Sequence, residues 1–148
     1  MLKGDGWSMT ELLEYGKQIL AAQPFSRLLG ARLTLFESGH AGLELDLVEE
    51  LKQQHGFAHG GVLSYLADNC MTYAGGSVLG DSVTMEYKIN YVRPAIGERL
   101  VAKASVLHSG KTQAVCHCEV MAVKDGEEKV VAVAQGTIRK IMRKEESQ

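Results

Sequence analysis

The residue that stands out as able to do chemistry is Asp68. Its neighbours Val62, Leu63, Leu66, Ala67, Cys70 and Met71 are apolar. A carboxylate buried among them costs several kcal/mol unless it is paired or protonated. Ser64, Asp68 and Thr72 stand four apart, which on a helix places them on one face. Two readings fit this polar stripe: an acid satisfied by hydroxyls and backbone, or a carboxylate kept in a low-polarity cleft as general base or nucleophile. His59-Gly60-Gly61 precedes the same segment. Side-chain-free backbone at a helix N-terminus gathers unpaired N–H groups and the positive end of the helix dipole, an arrangement that stabilises a developing oxyanion. The same glycines also suit a tight turn.

Spacing connects the two features. Gly60 and Asp68 are eight residues apart, about 12 Å along one helix. One reacting carbonyl cannot lie within about 3 Å of both. If both serve one reaction, they come from two copies of the helix running antiparallel across a two-fold axis. This predicts an obligate dimer with two composite sites.

The remaining reactive residues are weaker candidates. His55 and His108 are isolated and read as loop and surface residues. Cys116-His117-Cys118 has metal-like residue types, but on a strand the cysteines face one way and the histidine the other, so the three cannot share a tetrahedral zinc. No metal and no redox cofactor is expected.

The elements that must position these groups follow from hydrophobic period. Thr10 reads as a helix cap with Glu11 and Glu14 behind it, and Leu12, Leu13, Ile19 and Leu20 keep helical register. This predicts a helix over 9–23, stopped by Pro24. Leu33 and Leu35, then Leu43, Leu45 and Leu47, alternate as two strands around a Ser38-Gly39 turn. Residues 53–61 are a glycine- and histidine-rich loop. Val62 to Val78 is a helix apolar on nearly every side, and so expected to be buried.

Strands fill the rest. Val83, Met85, Tyr87, Ile89 and Tyr91 are expected on one face and Thr84, Glu86, Lys88 and Asn90 on the other. Leu100 to Val106, Ala114 to Val120 and Val130 to Ile138 complete the set, with turns at Ser109-Gly110-Lys111 and Asp125-Gly126. The expected class is α+β: a long central helix wrapped by a curved antiparallel sheet of about six strands.

Composition bounds the partners. The 148 residues make one domain, 1–148, and 45% hydrophobic with 23% charged residues argue against disorder. Sixteen bases against 18 acids leave a net charge of -2, without the basic excess that nucleic acid requires. The longest apolar run, Val130 to Ala134, is five residues, far short of the roughly 20 that cross a bilayer. Three cysteines without CxxC spacing and no apolar leader predict reduced thiols and a cytoplasmic location. Met1 to Ser8 and the tail 143–148 are polar enough to fray. Val115, Met121, Val131 and Val133, expected on the outer sheet face, predict that two dimers stack into a tetramer.

Gln53-x-x-Gly56-x-x-His59-Gly60-Gly61 followed by Leu66-Ala67-Asp68 resembles the hotdog-fold acyl-CoA thioesterases of the PaaI type. The likeness runs on through Ile89-Asn90-Tyr91-Val92-Arg93-Pro94, Gly97-Glu98-Arg99-Leu100 and the Gly110-Lys111-Thr112 turn. It implies the hotdog fold, a homodimer or dimer of dimers, and hydrolysis of an acyl-CoA to a carboxylic acid and CoA, the coenzyme entering only as part of the substrate. It also implies roles: Gly60 as oxyanion-hole donor, and Asp68 of the opposite subunit as nucleophile or general base. Gln53 stands where the PaaI branch usually carries Asn and the 4-hydroxybenzoyl-CoA thioesterase branch carries Gln; either amide would donate to the thioester or hold the water. Thr72 matches a water-holding threonine of that second branch, and Thr84 falls where mammalian-type relatives have a helper serine.

By the same likeness His59 and Gly61 support the loop and helix start. Ser109, Gly110, Lys111, Thr112 and Arg139 would meet the phosphates of CoA, and Tyr91 would pack on its pantetheine arm. Phe57, Tyr65, Met71 and Tyr73 are candidate walls for an aromatic or short-to-medium acyl group. The alternatives are a non-catalytic acyl-CoA-binding module, disfavoured by an acid left unpaired in an apolar helix, and a hydratase or dehydratase, disfavoured by the lack of a His–acid pair.

Overall fold

The computed structural model describes residues 6–142. The chain opens with helix α1, Met9–Ala21, and a short helix α2, Pro24–Leu29. A hairpin of β1 (Arg32–Glu37) and β2 (His40–Asp46) follows. A single 3-10 turn, Glu49–Leu51, leads to the long helix α3, Gly60–Leu79. Four strands complete the chain: β3 Ser82–Tyr91, β4 Arg99–Ser109, β5 Gln113–Lys124 and β6 Glu127–Lys140. Every pairing is antiparallel, in the order β1-β2-β4-β5-β6-β3. β3, although first of the last four in sequence, is therefore an edge strand.

α3 lies on the inner face of this curved sheet and buries residues on all sides, among them Leu66, Cys70, Met71 and Tyr73. That is the hotdog arrangement that the sequence implies. Strand alternation sends Leu100, Ala102 and Ala104 from β4 and Cys116, Cys118 and Val120 from β5 into the same core. Close approach is possible because α3 carries Gly75 under β6. A Cβ there would stand 2.8 Å from the Ile138 side chain. The β5–β6 turn is as expected: Asp125 and Gly126 both take left-handed torsions, φ 52° and 79°.

Five local expectations are corrected. α1 is capped by Ser8, not Thr10: the Ser8 hydroxyl accepts from the Glu11 N–H at 3.1 Å while the Glu11 carboxylate takes the Ser8 N–H. Trp7 packs beside Tyr15, with ring centroids 5.3 Å apart, so ordered structure begins before the cap. The expected helix over 9–23 ends at Ala21, and Pro24 begins α2, since the first turn of a helix has no use for the missing N–H. The remaining residues expected to fray, 1–5 and 143–148, lie outside the described residues.

The other two corrections are β-bulges. Pairing of β3 with β6 slips between Thr84 and Glu86, so Met85 is an extra residue and the inside–outside alternation reverses across it. Thr84 joins Tyr87 and Ile89 as half-buried, and Val83 and Met85, expected on the same face as Tyr87 and Ile89, are 48% and 51% exposed. A second slip between β5 and β6 leaves Val131 unpaired in the ladder and fully buried in the main core rather than on the outer face. Met121 does lie on that outer face, in a small cluster with Val101 and Val123.

Candidate active site

The polar stripe of α3 faces the edge strand β3. Ser64 shares a hydrogen bond with the Tyr87 hydroxyl. One helical turn on, the Thr84 hydroxyl donates to Asp68 Oδ1 at 2.5 Å. Thr72 Oγ1 lies 2.9 Å from both the Asp68 carbonyl oxygen and Thr84 Oγ1. The single Thr72 hydroxyl proton goes to the Asp68 carbonyl oxygen and the Thr84 proton to the carboxylate, so Thr84 is the one hydroxyl that donates to Asp68 Oδ1 and Thr72 stands beside it. No other donor among the described residues reaches this carboxylate, which is half-buried and borders an open cleft of about 610 Å³. Asp68 is thus neither fully buried nor fully satisfied by its neighbours.

At the start of α3 the donors divide unequally. His59 caps the helix, its Nδ1 accepting the Gly61 N–H at 2.9 Å, and the His59 carbonyl accepts the Val62 N–H at 3.0 Å. His59 and Gly61 therefore hold the helix start, and the histidine nitrogen that accepts is already engaged. The Gly60 N–H has no acceptor among the described residues. It borders a cleft of about 330 Å³ together with Gln53, Phe57, Tyr91 and Arg93. The Tyr91 hydroxyl donates to the Gly60 carbonyl at 3.2 Å, and a Cβ on Gly60 would stand 3.3 Å from the tyrosine ring.

Gln53 is oriented by its own loop. Its side-chain oxygen accepts the His55 N–H, and its backbone N–H donates to Phe57 at 2.9 Å. The NH₂ end is left as the donor at the Gly60 cleft. Gly60 and Asp68 thus occupy two different clefts of one protomer, as the helical spacing requires.

β3 connects these clefts, with Thr84 near one end and Tyr91 at the other. The turn Ser109 to Thr112 is exposed, and Arg139 lies beside it, paired across the sheet with Gln113. Arg139 is also the cross-strand partner of Val83, next to Thr84. Lys111 and Arg139 thus gather at the Asp68 end of β3. The Gly110 N–H closes the turn on Gln113 at 2.8 Å, so it is spent within the loop rather than offered to a phosphate.

Of the expected acyl walls, only Phe57 and Tyr65 border clefts. Met71 is core, and Tyr73 is buried with its hydroxyl on the Gly16 carbonyl. Cys116 and Cys118 face the core, and strand alternation turns His117 the other way. Sequence reasoning missed the α2 corner. There Gln23 and Ser26 bond to Tyr65 and Asn69 of α3, and Pro24 in a first-turn position was the available signal. No helix among the described residues is long and apolar enough to cross a membrane.

Known proteins fit this geometry. The Thioesterase superfamily family model matches residues 55–129. Human acyl-coenzyme A thioesterase 13 is 36% identical over 116 residues, covering 72% of this chain and 80% of that protein. The 1,4-dihydroxy-2-naphthoyl-CoA hydrolase of Listeria monocytogenes is 26% identical over 113 residues, covering 74% and 89%. Among solved structures, a thioesterase family protein from Silicibacter pomeroyi superposes with a TM-score of 0.84 at 31% identity, covering 92% of this chain and all of that one. The PaaI protein of the E. coli phenylacetic acid degradation operon gives 0.79 at 25% identity, covering 91% and 97%.

Proposed function

Because the chain belongs to the thioesterase superfamily and is a thioester hydrolase, we propose that its substrate is an acyl-CoA with an aromatic or short-to-medium acyl group. The observation that carries the reading is the division of the machinery. A carboxylate held by Thr84 borders one cleft and an unpaired Gly60 N–H borders the other, at opposite ends of one edge strand.

A second copy of the chain joins the two. With β3 of each copy side by side and antiparallel, the Thr84 end of one lies against the Tyr91 end of the other. Val83 and Met85, half exposed on this strand, are then covered. The thioester carbonyl accepts from Gly60 of one subunit and faces Asp68 of the other. Asp68 takes the proton of an attacking water, or attacks the carbonyl itself. The carbonyl π pair moves onto oxygen and is held by the Gly60 N–H. On collapse the C–S bond breaks and CoA leaves as thiolate and takes up a proton. Attack by water releases the carboxylic acid directly, whereas attack by Asp68 leaves an acyl–Asp68 anhydride that a water then cleaves, releasing the acid and restoring the carboxylate.

The Gln53 amide donates to the thioester or holds the water, and Thr84, with Thr72 beside it, fixes the carboxylate. Lys111 and Arg139, with the Ser109–Thr112 turn, meet the CoA phosphates, and Tyr91 lies along the pantetheine arm. Val115 and Val133, partly exposed on the outer sheet face, are where two dimers stack.

Thiol release from acetyl-, octanoyl- and benzoyl-CoA, compared between the native protein and Asp68→Asn, tests this. A fall of about a hundredfold or more in a folded, dimeric variant is expected. A native protein that hydrolyses none of the three, or a variant as active as the native, contradicts it and favours an acyl-CoA-binding module.

A further inference from the structure

The Asp68 cleft has a wall that belongs to none of the machinery above and lies outside residues 55–129. α2 contributes it. Pro24 starts this helix, Gly30 stops it in a left-handed torsion of φ 74°, and a polar knot pins it to α3. The Tyr65 hydroxyl donates to Ser26 Oγ at 2.6 Å, and Ser26 donates in turn to Gln23 Oε1 at 2.6 Å. Asn69 Nδ2 donates to Gln23 Oε1 at 3.1 Å and to the Tyr65 hydroxyl at 3.2 Å.

Ser26, at the centre of the knot, is 2% exposed, and such networks rigidify what they join. Asn69 is next in sequence to Asp68, and Tyr65 is about one helical turn before it. The position of α2 is thereby fixed relative to the carboxylate. The Tyr65 and Ser26 hydroxyl hydrogens and the Asn69 amide hydrogens are spent inside the knot, so the wall offers the cleft no hydroxyl donor; the Gln23 NH₂ stays outside the knot.

What it offers instead is carbon. Phe25 is 58% exposed, meets the Tyr65 ring edge-on with centroids 5.4 Å apart, and borders the same cleft as Asp68, Thr72 and Val83. An aromatic ring held on a rigid corner beside a reactive acid, and edge-on to a second ring, suits an apolar group.

We propose that Phe25 is a specificity-determining residue: with Tyr65 and Val83 it forms the surface on which the apolar body of the acyl group seats while the carbonyl faces Asp68. This rests on the thioesterase reading and adds the acyl selector to it. Leu28, 78% exposed on the same short helix but not bordering the cleft, is the internal control.

The test is kcat and KM for acetyl-, octanoyl- and benzoyl-CoA in the native protein, Phe25→Ala and Leu28→Ala, with binding of S-ethyl-CoA and S-octyl-CoA, thioethers that cannot be hydrolysed. Phe25→Ala is expected to lower kcat/KM about tenfold for the octanoyl and benzoyl substrates, through KM, and to change acetyl-CoA less than about twofold. S-octyl-CoA binding weakens by the same factor, and Leu28→Ala changes nothing. An equal effect on all three substrates, no effect on any, or a change confined to oligomeric state overturns the proposal. If the native protein hydrolyses none of them, the thioesterase reading fails by itself, and the thioethers still decide: a selective loss of S-octyl-CoA upholds Phe25 as the apolar seat, and equal binding overturns it.

Discussion

Thr84 reaches Asp68 only because β3 carries one residue too many. The Thr84 hydroxyl lies 2.5 Å from Asp68 Oδ1, and the slip at Met85 turns it from the outer face towards α3. Thr84→Val removes that donor at nearly constant volume. We expect kcat to fall on the order of tenfold with KM little changed, and Thr84→Ser to stay within about twofold of native. Steady-state kinetics on the preferred acyl-CoA check this.

The Gly60 N–H and the space at Gly60 can be separated. Gly60 is the first residue of α3, and His59 has extended torsions, φ -64° and ψ 137°, so proline is tolerated there; it adds a Cβ as alanine does and also deletes the N–H. Gly60→Ala keeps the N–H but presses a Cβ towards Tyr91. The expected kcat loss for Gly60→Pro is about a hundredfold, on the scale of losing one oxyanion donor, and it exceeds that for Gly60→Ala. Circular dichroism confirms retention of the helix.

Gly75 sets the depth to which α3 sinks into the sheet. In Gly75→Ala the new methyl meets Ile138 at 2.8 Å, and overpacking of this kind costs about 1–3 kcal/mol. A lowered urea midpoint, recovered in part by adding Ile138→Val, is the expected result.

How far the sequence carries can be judged residue by residue. α3 was legible because it is apolar all round, and its one acid and its N-terminal glycines marked the two halves of the site. The β4 and β5 faces followed from simple alternation, and β6 did so except at its extra residue Val131. Thr84 did not, because a bulge leaves no mark in a period-two pattern: the residue types at Val83 and Met85 call for burial, and the extra residue exposes them. α2 escaped for another reason. Its knot joins Gln23 to Asn69 across 46 positions, and no local pattern encodes such a contact.

Thiol chemistry should leave the enzyme untouched near neutrality. Burial, and secondarily the Cys118 thiol, raise Cys116 to about 12 and push Cys70 well up. At about pH 8 both are protonated and inert to iodoacetamide, and activity is retained. Both bind protons more tightly folded than unfolded. Their contribution to stability is full below the unfolded value of about 8.5 and is lost as pH climbs from there, for Cys116 towards about 12. The urea midpoint should fall across that window, and Cys116→Ala should make the fall shallower.

The central claim, that each site takes Gly60 from one subunit and Asp68 from the other, is tested most directly by mixing two inactive variants. Asp68→Asn and Gly60→Pro are unfolded and refolded together in equal amounts, and heterodimers are verified by native mass spectrometry. Each heterodimer then holds one site with both defects and one with neither, so the mixture should regain about a quarter of native activity. Heterodimers that form and stay inactive would contradict the account, because each subunit would then carry its site alone.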